Sequence, residues 1–205
     1  MTQLLNKKLL DAALINKKFF PFIHVNNIFL HMERSKDLLK DFPNINQGGS
    51  FNLSSDNKNS LNALVEDFES DEIKKILEKK FSINLNDSMV VPTLRGYSRS
   101  KDGNIHSDSK SKILTILIYL NKTWDHKNGL LRLLKSKDNL DDYIIEIPAY
   151  LGNMVIFKVT NNCWHGYKSF EGKRRSIQIN YVRKSSQRFH LLRHSISSFF
   201  KKLKS

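Results

Sequence analysis

Ile113-Leu114-Thr115-Ile116-Leu117-Ile118-Tyr119-Leu120 is the stretch that decides the fold. Its β-branched residues and period-2 polarity predict a strand with two unlike faces. Leu114, Ile116, Ile118 and Leu120 form a wholly apolar face that suits packing against helices. Ile113, Thr115, Leu117 and Tyr119 form the other, whose two hydroxyls suit a lined cavity. Further strands are predicted at Met89–Tyr97, Leu130–Leu134, Tyr143–Ile147, Met154–Val159 and Ser176–Val182. They are punctuated by Asp102-Gly103-Asn104, Lys127-Asn128-Gly129, Leu151-Gly152-Asn153 and Glu171-Gly172. Upstream, helical periodicity is read over Leu4–Leu14, Ser35–Phe42, Leu61–Phe68 and Asp71–Phe81, and a short strand over Phe19–Val25. Asn44–Ser60 is polar enough for a surface loop or a lid. Helices first and many short strands afterwards predict an α+β fold: a jelly roll (double-stranded β-helix) with N-terminal helices packed on one sheet.

His106-Ser107-Asp108 precedes that strand, and Cys163-Trp164-His165-Gly166 follows much later. In an extended segment His106 and Asp108 point to one side, aiming an imidazole and a carboxylate at one point. His165 from another strand completes a facial set of two histidines and one carboxylate, which leaves positions open on Fe(II) for a co-substrate and dioxygen. A second His-x-acid match, His31-Met32-Glu33, falls in a stretch read as helix, where positions two apart diverge. In the last strand Arg174, Ser176, Gln178 and Asn180 share a face opposite Arg175, Ile177, Ile179 and Tyr181. The isoleucines belong to the packed layer, so Arg174 and Ser176 look into the barrel. An arginine there calls for an anion, and a carboxylate clasped in bidentate fashion is the common solution. A register slip of one residue would give that place to Arg175.

The chain has 205 residues, 40% of them hydrophobic, enough for one domain with a single core. It divides into residues 1–85, mainly helical support; 86–183, the jelly-roll core; and 184–205, a basic amphipathic helix. One Cys cannot form an intrachain bridge, so the reducing cytoplasm is the expected compartment. Charge interrupts the N-terminus before a signal-peptide core develops, and no apolar run reaches membrane-span length. Of the net charge of +14, Arg183–Ser205 supplies +7 through seven Lys/Arg and no acid. Phe189, Leu192, Ile196, Phe199 and Leu203 form an apolar stripe in that tail. The stripe is expected to dock on the protein's own core; the alternative is contact with an anionic membrane surface or an acidic partner.

The order Tyr97, His106-Ser107-Asp108, Thr115 to Asp125, Gly152-Asn153-Met154-Val155-Ile156-Phe157, His165-Gly166 and Arg174-Arg175-Ser176 resembles the Fe(II)/2-oxoglutarate-dependent dioxygenases. The nearest branch is that of the prolyl 4-hydroxylases, whose entry strand and helix are similar to Phe22-Ile23-His24-Val25 with Phe42-Pro43. The resemblance implies Fe(II) on His106, Asp108 and His165, and the distal carboxylate of 2-oxoglutarate on Arg174 with Tyr119. It implies lesser co-substrate contacts from Tyr97 and Ser176. The cofactors would be Fe(II), 2-oxoglutarate and dioxygen, and the activity hydroxylation of an unactivated C–H bond in a peptidyl-proline-like, amino-acid or other small substrate. Two departures lie near the substrate entrance: Gly129-Leu130 stands where the family often has two glycines, and the loop after Asp108 is short.

Three other readings compete. A cupin-type non-oxidative metalloenzyme would leave Arg174 without a role. A nucleic-acid oxidative demethylase would carry a second arginine where this chain has Asn180, so nucleic acid is not the expected partner. A catalytically dead binding fold conflicts with an intact triad.

Overall fold

The computed structural model describes residues 3–54 and 59–186. The helices are α1 (Lys7–Ala12), α2 (Met32–Asp41), α3 (Ser60–Glu69) and α4 (Asp71–Phe81). The strands are β1 (Phe22–Val25), β2 (Phe51–Asn52), β3 (Ser88–Ser98), β4 (Lys112–Tyr119), β5 (Leu131–Leu134), β6 (Tyr143–Ile147), β7 (Met154–Lys158), β8 (His165–Gly166) and β9 (Gly172–Arg183). The tail from residue 187, including the apolar stripe, lies outside the described residues.

Local chemistry accounts for the helix ends. Asn59 caps α3 by accepting from the Asn62 amide at 3.0 Å. Ser70 caps α4, with Asp71 and Glu72 in its first turn and Lys79 and Lys80 in its last, matching the helix dipole at both ends. The Asp67 carboxylate accepts from the amides of Leu4 and Leu5 at 2.8 and 2.9 Å, tying the N-terminal segment to α3.

Two antiparallel sheets are present, one ordered β1-β7-β4-β9-β3-β2 and the other β6-β5-β8. β4 lies in the middle of the larger, with Thr115 opposite Asn180, Leu117 opposite Gln178 and Tyr119 opposite Ser176 on β9. Its two faces enter different clusters. Leu114, Ile116, Ile118 and Leu120 share one with Ile177, Ile179, Leu64, Phe68, Ile73 and Leu77. Tyr119 and Leu117 join Val155, Phe157, Leu131 and Leu133 in the second. The Tyr181 hydroxyl donates to the Phe68 carbonyl, linking β9 to α3.

Three details differ from the sequence reading. The first strand starts at Phe22 rather than Phe19, with Lys158 N–H bonded to the Pro21 carbonyl at 2.9 Å. Part of the polar Asn44–Ser60 stretch is an edge strand, with Phe51 and Asn52 paired to Leu94 and Thr93. His106 and Asp108 are in a loop, where His106 forms an isolated bridge.

Candidate active site

His106 owes its position to that bridge. Its amide donates to the His165 carbonyl and the His165 amide donates back, both at 3.0 Å. The two imidazoles are thereby 4.2 Å apart, centroid to centroid. Asp108 follows two residues later, and ligand atoms of His106, Asp108 and His165 all lie within 4.8 Å of one another. Close chain approach is part of the design: a Cβ on Gly166 would come within 2.7 Å of the Gly103 carbonyl oxygen.

Both histidines are held in the same tautomer. His106 Nδ1 lies 2.9 Å from the Asn104 carbonyl, and His165 Nδ1 lies 2.9 Å from the Cys163 carbonyl. A carbonyl only accepts, so each Nδ1 carries its proton and each Nε2 keeps a lone pair for a metal. His106 is exposed and His165 is buried, so the cluster opens on the His106 side.

Asp108 is nearly enclosed. Lys112 donates to its Oδ1 at 2.9 Å, and the Thr115 hydroxyl donates to Oδ2. Burial pushes the carboxyl up, but Lys112, His165 and the Thr115 hydroxyl outweigh it and hold it down at about 2. Burial drives His165 down to about 4, helped by His106 and Lys112 against the pull of Asp108 and the Cys163 carbonyl. At neutral pH the acid is ionised and His165 is neutral, the forms that bind a divalent ion.

A cavity runs from the two histidines to Arg174, between walls that include Leu117, Leu131, Tyr167 and Ser176. Arg174 is buried. Its Nε donates to the Gly129 carbonyl at 2.8 Å and its Nη2 to the Tyr119 hydroxyl at 2.7 Å. Gly129 presents that carbonyl from a left-handed backbone, φ 78°, where a Cβ would meet Trp124 at 2.7 Å. Tyr167 stacks under the guanidinium, 4.1 Å from ring centroid to Cζ. Burial raises the Tyr119 phenol, opposed by Arg174, so it stays protonated and its hydrogen is free for an anion.

Of the two arginines, Arg175 points away from the cavity and lies over the Phe42 ring at 5.5 Å. Ser176 lines the cavity, its Oγ buried without a partner. Tyr97 is not part of the wall. The register of β3 against β9 slips by one between Arg95 and Tyr97, so Tyr97 pairs with Lys173. Sequence reasoning missed Tyr167, Arg95 and Lys112, while Gln178 is on the β9 face already turned to the cavity. Tyr167 is two residues beyond His165 and Arg95 two before Tyr97, so alternation alone could have flagged both.

The donor set fits a divalent ion: two imidazoles and one ionised carboxylate. The cavity fits a dicarboxylate, because an arginine fork and a phenol converge at one end while the Ser176 hydroxyl stands unpaired in the wall.

Residues 93–182 match the family model described as 2OG-Fe(II) oxygenase superfamily. No curated protein matches the sequence. Among solved structures, the chain is similar to a prolyl-4-hydroxylase from Pseudomonas putida, with 12% identity, TM-score 0.66, and 89% of this chain and 95% of that one covered. It is also similar to a prolyl hydroxylase from Trichoplax adhaerens, solved with a hypoxia inducible factor oxygen degradation domain peptide fragment. There the identity is 16%, the TM-score 0.60, and the coverage 89% of this chain and 91% of that one. A viral collagen prolyl hydroxylase from Paramecium Bursaria Chlorella virus-1, in a 2OG complex, aligns at 12% identity with TM-score 0.57, over 82% and 96% of the two chains. At these identities the likeness concerns the fold, a jelly roll built from the two antiparallel sheets.

Proposed function

We propose, from the premise that residues 93–182 form a 2OG-Fe(II) oxygenase domain, that this dioxygenase hydroxylates an unactivated C–H bond of a peptidyl-proline-like, amino-acid or other small substrate. Superfamily members use Fe(II), 2-oxoglutarate and dioxygen. His106, Asp108 and His165 hold the metal; Arg174 and Tyr119 hold the distal carboxylate of 2-oxoglutarate, with Ser176 beside it. Tyr97 keeps a co-substrate role only on its resemblance. The observation that carries the proposal is Arg174: a buried guanidinium at the opposite end of one cavity from two tautomer-locked histidines.

When bound, the metal, 2-oxoglutarate and dioxygen supply the oxidation, releasing succinate and carbon dioxide and adding one oxygen to the substrate. The chain's own residues do the rest. Lys112 and Thr115 orient Asp108; the Asn104 and Cys163 carbonyls fix both imidazoles; Leu117, Leu131 and Tyr167 line the space between. Asn180, whose Oδ1 accepts from Gln178 at 3.1 Å, stands where a demethylase would need a second arginine, which disfavours nucleic acid.

The helices serve as a support layer for the larger sheet, supported by the cluster they share with it. Residues 1–85, 86–183 and 184–205 are then support, catalytic core and tail of one domain. The single buried Cys163 supports a reducing, cytoplasmic setting, and among the described residues no helix is long and apolar enough to cross a membrane. The test is succinate formation across peptide, amino-acid and sugar panels, with mass detection of a gain of one oxygen. Substrate-dependent succinate with that gain is the expected result. Succinate without any oxygenated product across all panels would count against the substrate classes named.

A further inference from the structure

We propose that Arg95 anchors a carboxylate of the substrate, so that the protein oxidises an anionic molecule rather than a neutral one. The cavity contains two guanidinium groups, and among the described residues only Arg174 has hydrogen-bond partners for its side chain. Arg95 is on β3, opposite Ser176, which on its other side is opposite Tyr119. The three form a cross-strand row, with Arg95 on the flank away from Tyr119.

Arg95 lines the cavity, yet its Nε is buried with no hydrogen-bond partner. Among the described residues it joins no ion pair. The nearby acid, Asp102, is already taken by Arg99, whose amide, Nε and Nη2 donate to it at 2.9, 3.2 and 2.8 Å. No Asp or Glu lines the cavity. Arg95 feels the Asp102 charge only at a distance, and a partly buried cation with no carboxylate bonded to it is unfavourable, which an incoming anion offsets.

2-Oxoglutarate has a place for each of its charges without Arg95. It has two carboxylates, one for Arg174 and Tyr119 and the other for the metal cluster. Arg95 is a third positive centre on a different strand. One guanidinium fork matches one planar carboxylate. The carboxylate it meets therefore belongs to the molecule being oxidised, which enters from the exposed His106 side.

Because this assignment rests on the oxygenase reading, the test separates the two. Protein loaded with Zn(II) and saturated with 2-oxoglutarate is titrated with hexanoate, and with hexanamide as the neutral control. Calorimetry is followed together with the guanidinium Nε–H signal that disappears in Arg95→Lys. Wild-type protein should bind hexanoate about 10-fold more tightly than hexanamide, equal to about 1.4 kcal/mol. Arg95→Met should bring the two within about 2-fold while its affinity for 2-oxoglutarate stays within about 2-fold of wild type, and Arg95→Lys should keep part of the preference. Equal binding of acid and amide by wild type, or a preference that survives in Arg95→Met, overturns the proposal. So does an affinity for 2-oxoglutarate about 10-fold weaker in Arg95→Met, which gives Arg95 to the co-substrate. Failure of 2-oxoglutarate to bind wild-type protein removes the oxygenase reading and this assignment with it; its binding without an acid preference removes only the role of Arg95.

Discussion

Arg174→Met removes the guanidinium proposed to hold the far carboxylate of 2-oxoglutarate. In the free protein Arg174 already gives its Nε to Gly129 and its Nη2 to Tyr119, and it stacks on Tyr167. The substitution loses these contacts but also relieves a buried cation that no carboxylate neutralises, so global stability should shift by only about 1 kcal/mol. Binding is a different matter. A carboxylate brought into this site would lose its charged partner, and breaking a buried pair from one side costs about 3–5 kcal/mol. At about 1.4 kcal/mol per 10-fold, the Kd for 2-oxoglutarate should rise by roughly 100- to 4,000-fold. Arg175→Met, which removes a cation over Phe42 outside the cavity, should leave that Kd within about 2-fold. The assay is an anaerobic titration of Fe(II)-loaded protein, following the visible absorption that appears when 2-oxoglutarate chelates the metal. A Kd within about 3-fold of wild type for Arg174→Met, or a larger effect from Arg175→Met, would refute the reasoning.

Three more outcomes can be checked. His165→Ala should abolish Fe(II) binding by equilibrium dialysis while circular dichroism stays native, since two remaining ligands hold a labile divalent ion poorly; retained metal-dependent turnover would remove His165 from the site. Lys112→Met should tighten divalent metal binding and destabilise the metal-free protein by about 3 kcal/mol, because it removes a cation from beside the metal and leaves Asp108 without its buried partner; weaker metal binding would mean that the orienting of Asp108 by Lys112 outweighs its repulsion of the metal. The metal-free protein should also lose stability in acid. His165 is depressed from 6.5 to about 4, so its contribution is complete above pH 6.5 and is lost as pH falls toward 4. Asp108 is depressed from 3.8 to about 2, so its share is lost lower still, between those values. Urea titrations at pH 7.5, 5.5 and 4 should show a fall of about 3 kcal/mol from His165, and a flat profile would contradict its burial as a neutral group.

Much of the site could be read from alternation alone. The parity of β9 puts Arg174 with Ser176 and Gln178, and Arg175 with Ile177 and Ile179; the structure has Arg174 in the cavity and Arg175 outside it. The same rule separated the two faces of β4, which enter different apolar clusters. Side-chain direction along a strand is a local property with a period of two, and burial of one face fixes the phase.

What the sequence could not determine lies where that period is interrupted or where partners are distant. His106-Ser107-Asp108 is not the strand that alternation requires; the convergence instead comes from a single bridge between His106 and His165, inside a loop. The tautomers depend on the Asn104 and Cys163 carbonyls, and the charge of Asp108 on Lys112, all set by how loops and strands meet. The register slip between β3 and β9 is the clearest case. It inserts an extra residue on β9 and pairs Tyr97 with Lys173, while Arg95, two residues earlier on the same strand, lines the cavity. A bulge changes pairing without changing composition, so only the assembled sheet shows that Tyr97 meets Lys173 rather than Arg174.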